Sequence, residues 1–480
     1  MSLRLHPLAL AAALIALASP AIGATSHFSN FTPLASSAGP IPVGGAGEAT
    51  PLTLSSVQFS QRSIADRTAQ LGAGQFNSGN WDMLTLNETG ADRGRYLFTV
   101  FETGQAGIQR TDTWNGNATT TIWSSPAAAP ALNSHVAFDA SYWTPWGSFV
   151  TAEENWGAQP QPYGRLFELK NPLTATGNGN AQLVHANAVA RVSHEGVQWD
   201  KAGNMYFIDE LNGGSIYRYT PKASFASVLA GQADYFAGGT NAVLRVGTGA
   251  VDNAVGASSW VNFTDSNGLA LAGAITINDP NGISAVDGRA TTDLAAFKGT
   301  NYQRPEDLQM QTGPNGEERL YVATTTTNEV YVLDLGTGEM KVFANRNTID
   351  LATGLAIGSA LASPDNLAID ADGNIYIVED RNGGVDNDVW FAKDLNKDGD
   401  LLDAGEGLAR WVSNGTQGSE MTGLYFDPFN ANRAWVNIQH PSSGNDRLIE
   451  ITAVPEPSTY ALMLGGLALV GRLAKRRSKR

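Results

Sequence analysis

The sequence predicts an all-β protein, a β-propeller of six blades or of seven shorter ones with loop insertions, and three observations carry that expectation. Gly and Pro number 52 and 21 in 480 residues, a balance that suits many short strands joined by tight turns. The β-branched and aromatic runs are short and are bounded by Gly, Asn and Asp. A stretch of the chain also repeats without gaps at an offset of 170 residues, and repetition of a small sheet unit is how propellers are built. The alternative arrangement for such strands is a pair of β-sandwiches. Composition narrows function as well. With no cysteine, disulfides and every thiolate site are excluded, and with 46 acidic against 31 basic side chains (net −15) the basic footprint of a nucleic-acid binder is missing.

Residues 1–24 open with a single Arg4, continue through an apolar run from Pro7 to Ala18 and end in small residues at Gly23-Ala24. This is the form of a secretory signal peptide, so the working protein is expected to be exported. The body spans residues 25–453. In it Ser193-His194-Glu195-Gly196-Val197-Gln198-Trp199-Asp200 through Gly214 aligns with Ser363-Pro364-Asp365-Asn366-Leu367-Ala368-Ile369-Asp370 through Gly384. Looser copies begin at Arg304-Pro305-Glu306 and Glu420-Met421-Thr422. Each copy reads as strand, Gly or Asn turn, strand. Residues 454–480 read Val454-Pro455-Glu456-Pro457, a short apolar stretch from Ala461 to Val470, then six basic residues from Arg472 to Arg480. The three parts together resemble the PEP-CTERM sorting signal. That resemblance implies handling by sorting machinery at the inner membrane of a Gram-negative bacterium, transient anchoring by this segment, and a destination in the periplasm, on the outer surface or in an exopolysaccharide matrix.

The acids fall at matching places in the repeat. Glu195, Glu306, Asp365 and Glu420 start the first strand of their units, while Asp209, Glu210, Glu379 and Asp380 end the second. The first strands of propeller blades face one channel, so these carboxylates converge. Converging like charges need cations, and oxygen ligands favour hard ions: Ca²⁺ first, with Mg²⁺, Mn²⁺ or Fe³⁺ as alternatives. In Phe149-Val150-Thr151-Ala152-Glu153-Glu154-Asn155, strand alternation lets one of Glu153 and Glu154 face the channel. Separately, Asp394, Asn396, Asp398 and Asp400 stand at positions 1, 3, 5 and 7 of a loop with Gly399 at 6, the pattern of a Ca²⁺ loop, although its closing acid, Glu406, comes one residue late.

Val150-Thr151-Ala152-Glu153-Glu154-Asn155, His194-Glu195-Gly196, Arg304-Pro305-Glu306-Asp307, Pro364-Asp365-Asn366, Glu379-Asp380 and Ile438-Gln439-His440-Pro441 occur in an order that resembles the PhoX-type alkaline phosphatases. That family is a six-bladed propeller hydrolysing phosphomonoesters at an iron and calcium cluster. The resemblance implies Glu195, Glu306 and Asp365 as iron ligands, Glu154, Glu210 and Glu379 as calcium ligands, and Arg304 and Asn155 as contacts to a small phosphorylated substrate. One departure stands out: where the family has an iron-ligating cysteine before the Glu-Glu-Asn run, this chain has Ala152. A non-catalytic Ca²⁺-stabilised propeller of the surface or exopolysaccharide is the competing expectation. A third comes from Ser363-Pro364-Asp365-Asn366-Leu367 and Asp372-Gly373-Asn374-Ile375-Tyr376, which resemble the gluconolactonases and imply a single Ca²⁺. His194 and His440 are candidates for a proton donor and a ligand.

Overall fold

The structure is a computed structural model and describes residues 26–454 except 382, 384 and 385; the segments expected to be a signal peptide and, beyond Val454, a sorting tail lie outside the described residues. The described chain is antiparallel β throughout, interrupted by short helices such as Arg67–Gly72, Phe225–Leu229 and Gly288–Thr292. Among the described residues no helix is long and apolar enough to cross a membrane.

The arrangement is propeller-like. Its first strands lie side by side in a closed circuit. Trp81–Leu86 neighbours Phe138–Trp143, which touches Val197–Trp199; Pro305–Thr312, Pro364–Ile369 and Glu420–Phe426 follow, and the last returns to Trp81–Leu86. From most of these strands a sheet runs outward in chain order. The sheets that begin at Val197–Trp199 and Pro305–Thr312 merge into one nine-stranded sheet through a short outer seam, where Gly256 and Ala257 pair with Met340 and Glu339. The circuit is closed by the two ends of the chain. Phe59–Asp66, from the N-terminal side, pairs antiparallel with the final strand Arg447–Ala453, and Leu52–Leu54 adds to the edge of Gly407–Asn414.

The 170-residue repeat has a chemical cause. In the turn after Val197–Trp199, Asp200 accepts the Asn204 N–H (2.8 Å) and bonds of the Asn204 amide (2.6 Å) and the Tyr206 hydroxyl (2.9 Å). Asp370 does the same for Asn374 and Tyr376 at 2.9, 2.9 and 3.2 Å. The turn needs a left-handed residue before the Asn, which Gly203 and Gly373 supply at φ 86° and 75°. Asp, Gly, Asn and Tyr at fixed spacing are therefore one hairpin device used twice.

Between sheets the core is aromatic. Tyr376 lies 4.5 Å from Phe426 and 4.9 Å from Trp411, and Phe28, from the N-terminal segment, closes on Phe426 at 5.2 Å. Each such ring buries roughly 150–250 Å², and this cluster welds the sheet of residues 364–414 to the closing sheet.

One half-buried titratable group lies on an edge strand, Leu183–His185. Both ring nitrogens of His185 are buried without a partner, and the ring packs on Phe167 at 5.4 Å. Burial, with Arg165 and Arg191 nearby, pushes its pKa down to about 3. A folded-state pKa below the unfolded value near 6.5 gives stability that is present above that value and lost as pH falls through it. Replacing His185 with Phe should therefore reduce the loss of unfolding free energy between pH 7 and pH 5 by about 1–2 kcal/mol. Denaturant titrations at the two pH values check this, and identical losses in both proteins would refute it.

Candidate metal centre in the channel

A single backbone device, used in blade after blade, aims carboxylates into the channel. Asn80, Ala137, Arg304 and Ser363 all adopt positive φ (47°, 36°, 54° and 48°), a conformation that costs of order 1–3 kcal/mol for a non-glycine residue. Two residues later come Asp82, Asp139, Glu306 and Asp365, each within a register shift of its first strand. The bulge re-aims the side chain inward. The partner strand is locked to this bend. The N–H groups of Glu102, Glu154, Thr325 and Asp380 donate to the carbonyls of those same four residues at 2.9, 2.8, 3.0 and 3.0 Å. Glu195 and Glu210 occupy the corresponding places around Ser193, whose carbonyl takes the Glu210 N–H at 2.9 Å.

The result is a ring of buried acids. Ligand oxygens of Glu195, Glu306 and Asp365 lie within 4.8 Å of one another, as do those of Asp365, Asp380 and Glu420, so Asp365 belongs to both groups. Burial, reinforced by Asp365, Asp139 and Glu306, raises the Glu195 pKa well above the ordinary range, and Asp365 is raised by burial with Glu306 and Asp380. Burial lifts Glu306 to about 7 against the pull of Arg304. Burial together with Glu154 raises Asp82 to about 8 and Glu102 well above its usual value. Glu154 itself is lowered: burial pushes it up, but hydrogen bonds from Glu210, Glu102 and Trp156 and the charge of Arg304 outweigh that.

Arg304 is the cation facing this ring. It pairs with Glu210 at 2.8 Å and Glu306 at 2.9 Å, and its guanidinium stacks on Trp156 at 4.9 Å. The Trp156 indole N–H donates to Glu154 and, at 3.1 Å, to Glu210. Asn366 bridges the ring from inside, donating to Glu195 at 3.0 Å and accepting the Gly423 N–H at 2.6 Å. Glu195 keeps one carboxylate oxygen buried with no hydrogen-bond partner. An orphaned carboxylate oxygen amid converging carboxylates fits a hard cation.

The sequence model of the family described as alkaline phosphatase PhoX matches residues 140–442. The chain belongs to that family. The PEP-CTERM protein-sorting motif matches residues 453–479, which marks an exported protein with a C-terminal sorting signal. Among solved structures the chain is similar to Pseudomonas fluorescens PhoX in complex with vanadate, a transition state analogue, at 16% identity and TM-score 0.59, covering 88% of this chain and 98% of that one. It is similar at TM-score 0.43 and 12% identity to a gluconolactonase from Xanthomonas campestris, covering 88% and 100% of the two chains. Regucalcin, a calcium-binding protein from Agrobacterium tumefaciens, is similar at TM-score 0.41 and 12% identity, with 83% and 97% covered. No curated protein matches.

Within the PhoX framework the remaining site residues fall into two sets. Glu154 and Glu210 face the channel, whereas their neighbours at the strand ends hold the backbone. Glu153 is buried against Arg165 (2.6 Å) and accepts the Val136 and Gly164 N–H groups. Asp209 accepts the Ser193 N–H at 3.0 Å. Glu379 belongs to this second set: it accepts from the Ala362 N–H (2.7 Å) and the Trp390 indole (3.0 Å) and pairs with Arg381 (3.2 Å), while Asp380, one residue on, enters the channel group. Asn155 stands at the mouth with its amide nitrogen buried and unpartnered. His440 reaches Glu420 at 2.8 Å. His194 instead packs on Phe207 at 5.2 Å, and burial brings its pKa down to about 3. Ala152 is fully buried in an apolar cluster with Val150 and Leu166.

Sequence reasoning did not include Asp82, Asp139, Glu102 or Trp156 in the site. Their signal was an aromatic residue followed by an acid at a strand start, Trp81-Asp82 and Phe138-Asp139, and a strand closing in Phe101-Glu102.

If the ring is a cation site, neutralising its shared member acts oppositely with and without metal. Asp365→Asn should stabilise chelator-treated protein by about 1–2 kcal/mol, since it removes a repelling buried carboxylate. The same change should abolish most of the stabilisation that Ca²⁺ gives the unsubstituted protein. Unfolding curves in EDTA and in Ca²⁺ test both signs; a loss of stability in EDTA equal to that in Ca²⁺ would contradict the assignment.

Proposed function

We propose that this protein is an exported, metal-dependent phosphomonoesterase whose channel mouth is both the metal centre and the substrate site. The observation that carries the reading is the ring itself: buried carboxylates delivered in register by successive strands, with Arg304 held among them. In this reading Glu195, Glu306 and Asp365 hold one group of hard cations, Fe³⁺ or another hard metal, while Glu154, Glu210, Asp380 and Glu420 with Asp82, Glu102 and Asp139 hold Ca²⁺. Such ions, when bound, polarise phosphoryl oxygens and lower the pKa of a bound water. The chain's own part is to exclude water, fix the ligands through the bulged strand starts and bind phosphate. Arg304 has the forked geometry that clamps two phosphate oxygens, and its stacking on Trp156 holds it at the mouth. Asn155 offers an amide donor alongside. The same circuit of first strands supports a count of six blades, the nine-stranded sheet being two blades joined at their outer edges. Sorting through the C-terminal tail would place the enzyme in the periplasm or at the cell surface, with exopolysaccharide as a neighbouring polymer.

A second reading is favoured by one observation. Ala152 fills with a methyl group the place where the family carries a thiolate ligand, and its surroundings are apolar. A ring lacking that ligand suits Ca²⁺ better than an iron pair, giving a calcium-stabilised surface propeller without turnover.

Protein loaded with Ca²⁺ and Fe³⁺ is expected to hydrolyse an aryl phosphate at alkaline pH, and Glu306→Gln to lower kcat/KM by at least ~100-fold. Absence of turnover under every metal combination, with Ca²⁺ still raising Tm, would overturn the first reading and leave the second. Ala152→Cys separates them further: elemental analysis should find more iron per chain than in the unsubstituted protein, and unchanged iron would show that this position does not limit metal loading.

A further inference from the structure

The hairpin loop between strands Asn387–Lys393 and Gly407–Asn414 lies outside the channel and is not used by the proposed reaction. It carries a carboxylate that the fold leaves unfinished. Asp394 is 5% exposed; its Oδ2 accepts the Gly399 N–H at 3.0 Å, which turns the carboxyl group into the loop. Its Oδ1 is buried with no hydrogen-bond partner. A buried carboxylate oxygen without a donor is destabilising unless a cation completes it.

Three further polar side chains of the loop, Asn396, Asp398 and Asp403, lie exposed beside one another. The Asn396 amide nitrogen donates to Asp398 Oδ2 at 3.0 Å and to Asp403 Oδ2 at 2.9 Å, so two carboxylates are drawn together around a group of only partial positive charge. Glu406, the acid that comes one residue late for a standard Ca²⁺ loop, has another task. Its Oε1 accepts the Leu395 N–H at 2.8 Å and its Oε2 the Asp403 N–H at 3.0 Å. Both oxygens are thereby used in stapling the two ends of the loop. The Asp400 side chain likewise accepts the Leu402 N–H at 3.1 Å.

We propose that residues 394–406 form a Ca²⁺ site separate from the channel, with Asp394 Oδ1, Asn396, Asp398 and Asp403 as side-chain ligands and the backbone carbonyl of Asp400 at position 7. Oxygen donors in a flexible loop around a central glycine are what Ca²⁺ selects. Asp403 here does the work that the twelfth residue does in the usual loop, and Glu406 acts from outside as a fastener. The site also joins two sheets. Arg319, on the strand Glu318–Thr324 of the neighbouring sheet, donates to the Lys397 carbonyl at 2.8 Å, and Lys397 reaches the Asn374 side chain at 2.6 Å. Gly399 admits the Arg319 chain, since a Cβ there would meet Arg319 Cδ at 2.8 Å. Ordering the loop with Ca²⁺ therefore tightens a seam between sheets.

Leu395 and Leu402 are 58% and 87% exposed in this loop and offer chymotrypsin its cleavage points. In the full protein, Ca²⁺ added after EGTA treatment should slow cleavage at these two bonds at least tenfold, as followed by mass spectrometry. Asp398→Ala, at an exposed position, should be cleaved at one rate with and without Ca²⁺, whereas Glu306→Gln, altered only in the channel, should keep the protection. Loop cleavage indifferent to Ca²⁺ in the unsubstituted protein, protection retained by Asp398→Ala, or protection lost in Glu306→Gln would each overturn the proposal.

Discussion

Like charge gathered in a buried space is the constraint on which the rest of this molecule depends. Asp82, Asp139, Glu195, Glu306 and Asp365 come from the starts of successive first strands and share one channel, where burial raises the pKa values of all five and repulsion from neighbouring carboxylates adds to it for Asp82, Asp139, Glu195 and Asp365. A fold driven only by apolar burial would not place them there. The left-handed residues ahead of the bulges, the paired N–H to carbonyl bonds behind them and the Asn366 bridge all serve to hold acids in positions they would otherwise leave. Arg304 offsets part of the repulsion from within. The cross-sheet aromatic contacts, such as Tyr376 on Phe426, supply the favourable burial that lets the centre remain strained.

The fold was legible where its chemistry repeats. Asp200 and Asp370 build the same turn with the same Asn and Tyr, so two blades announced themselves at a fixed offset. The blades beginning at Trp81 and Phe138 connect their first two strands by other turns, Asn87 to Arg95 and Thr144 to Ser148, and their acids Asp82 and Asp139 therefore carried no repeat to be recognised by. A propeller's circuit is written in tertiary packing, and only some of its turns echo one another in sequence.

Within the centre, sequence reasoning named the channel-side acid at Glu153-Glu154 and Asp209-Glu210 and was one place off at Glu379-Asp380. Glu153-Glu154, Asp209-Glu210 and Glu379-Asp380 each hold one carboxylate for the backbone and one for the channel. Strand alternation says that the two diverge, but not which goes where, because the strand ends at this point and the chain bends. At Glu379 the deciding contacts are the Ala362 N–H and the Trp390 indole, both remote in sequence. The same remoteness hides Trp156, whose role depends on Arg304 nearly 150 residues later in the chain.

The closing pair of strands carries a further implication. Phe59–Asp66 and Arg447–Ala453 are the two free ends of the circuit, and the sorting motif begins at residue 453, inside the final strand. The clasp of the ring and the matched sorting motif therefore overlap at residue 453. The ring cannot shut until its last strand is available, so closure of the body waits on the very residues at which the sorting motif begins.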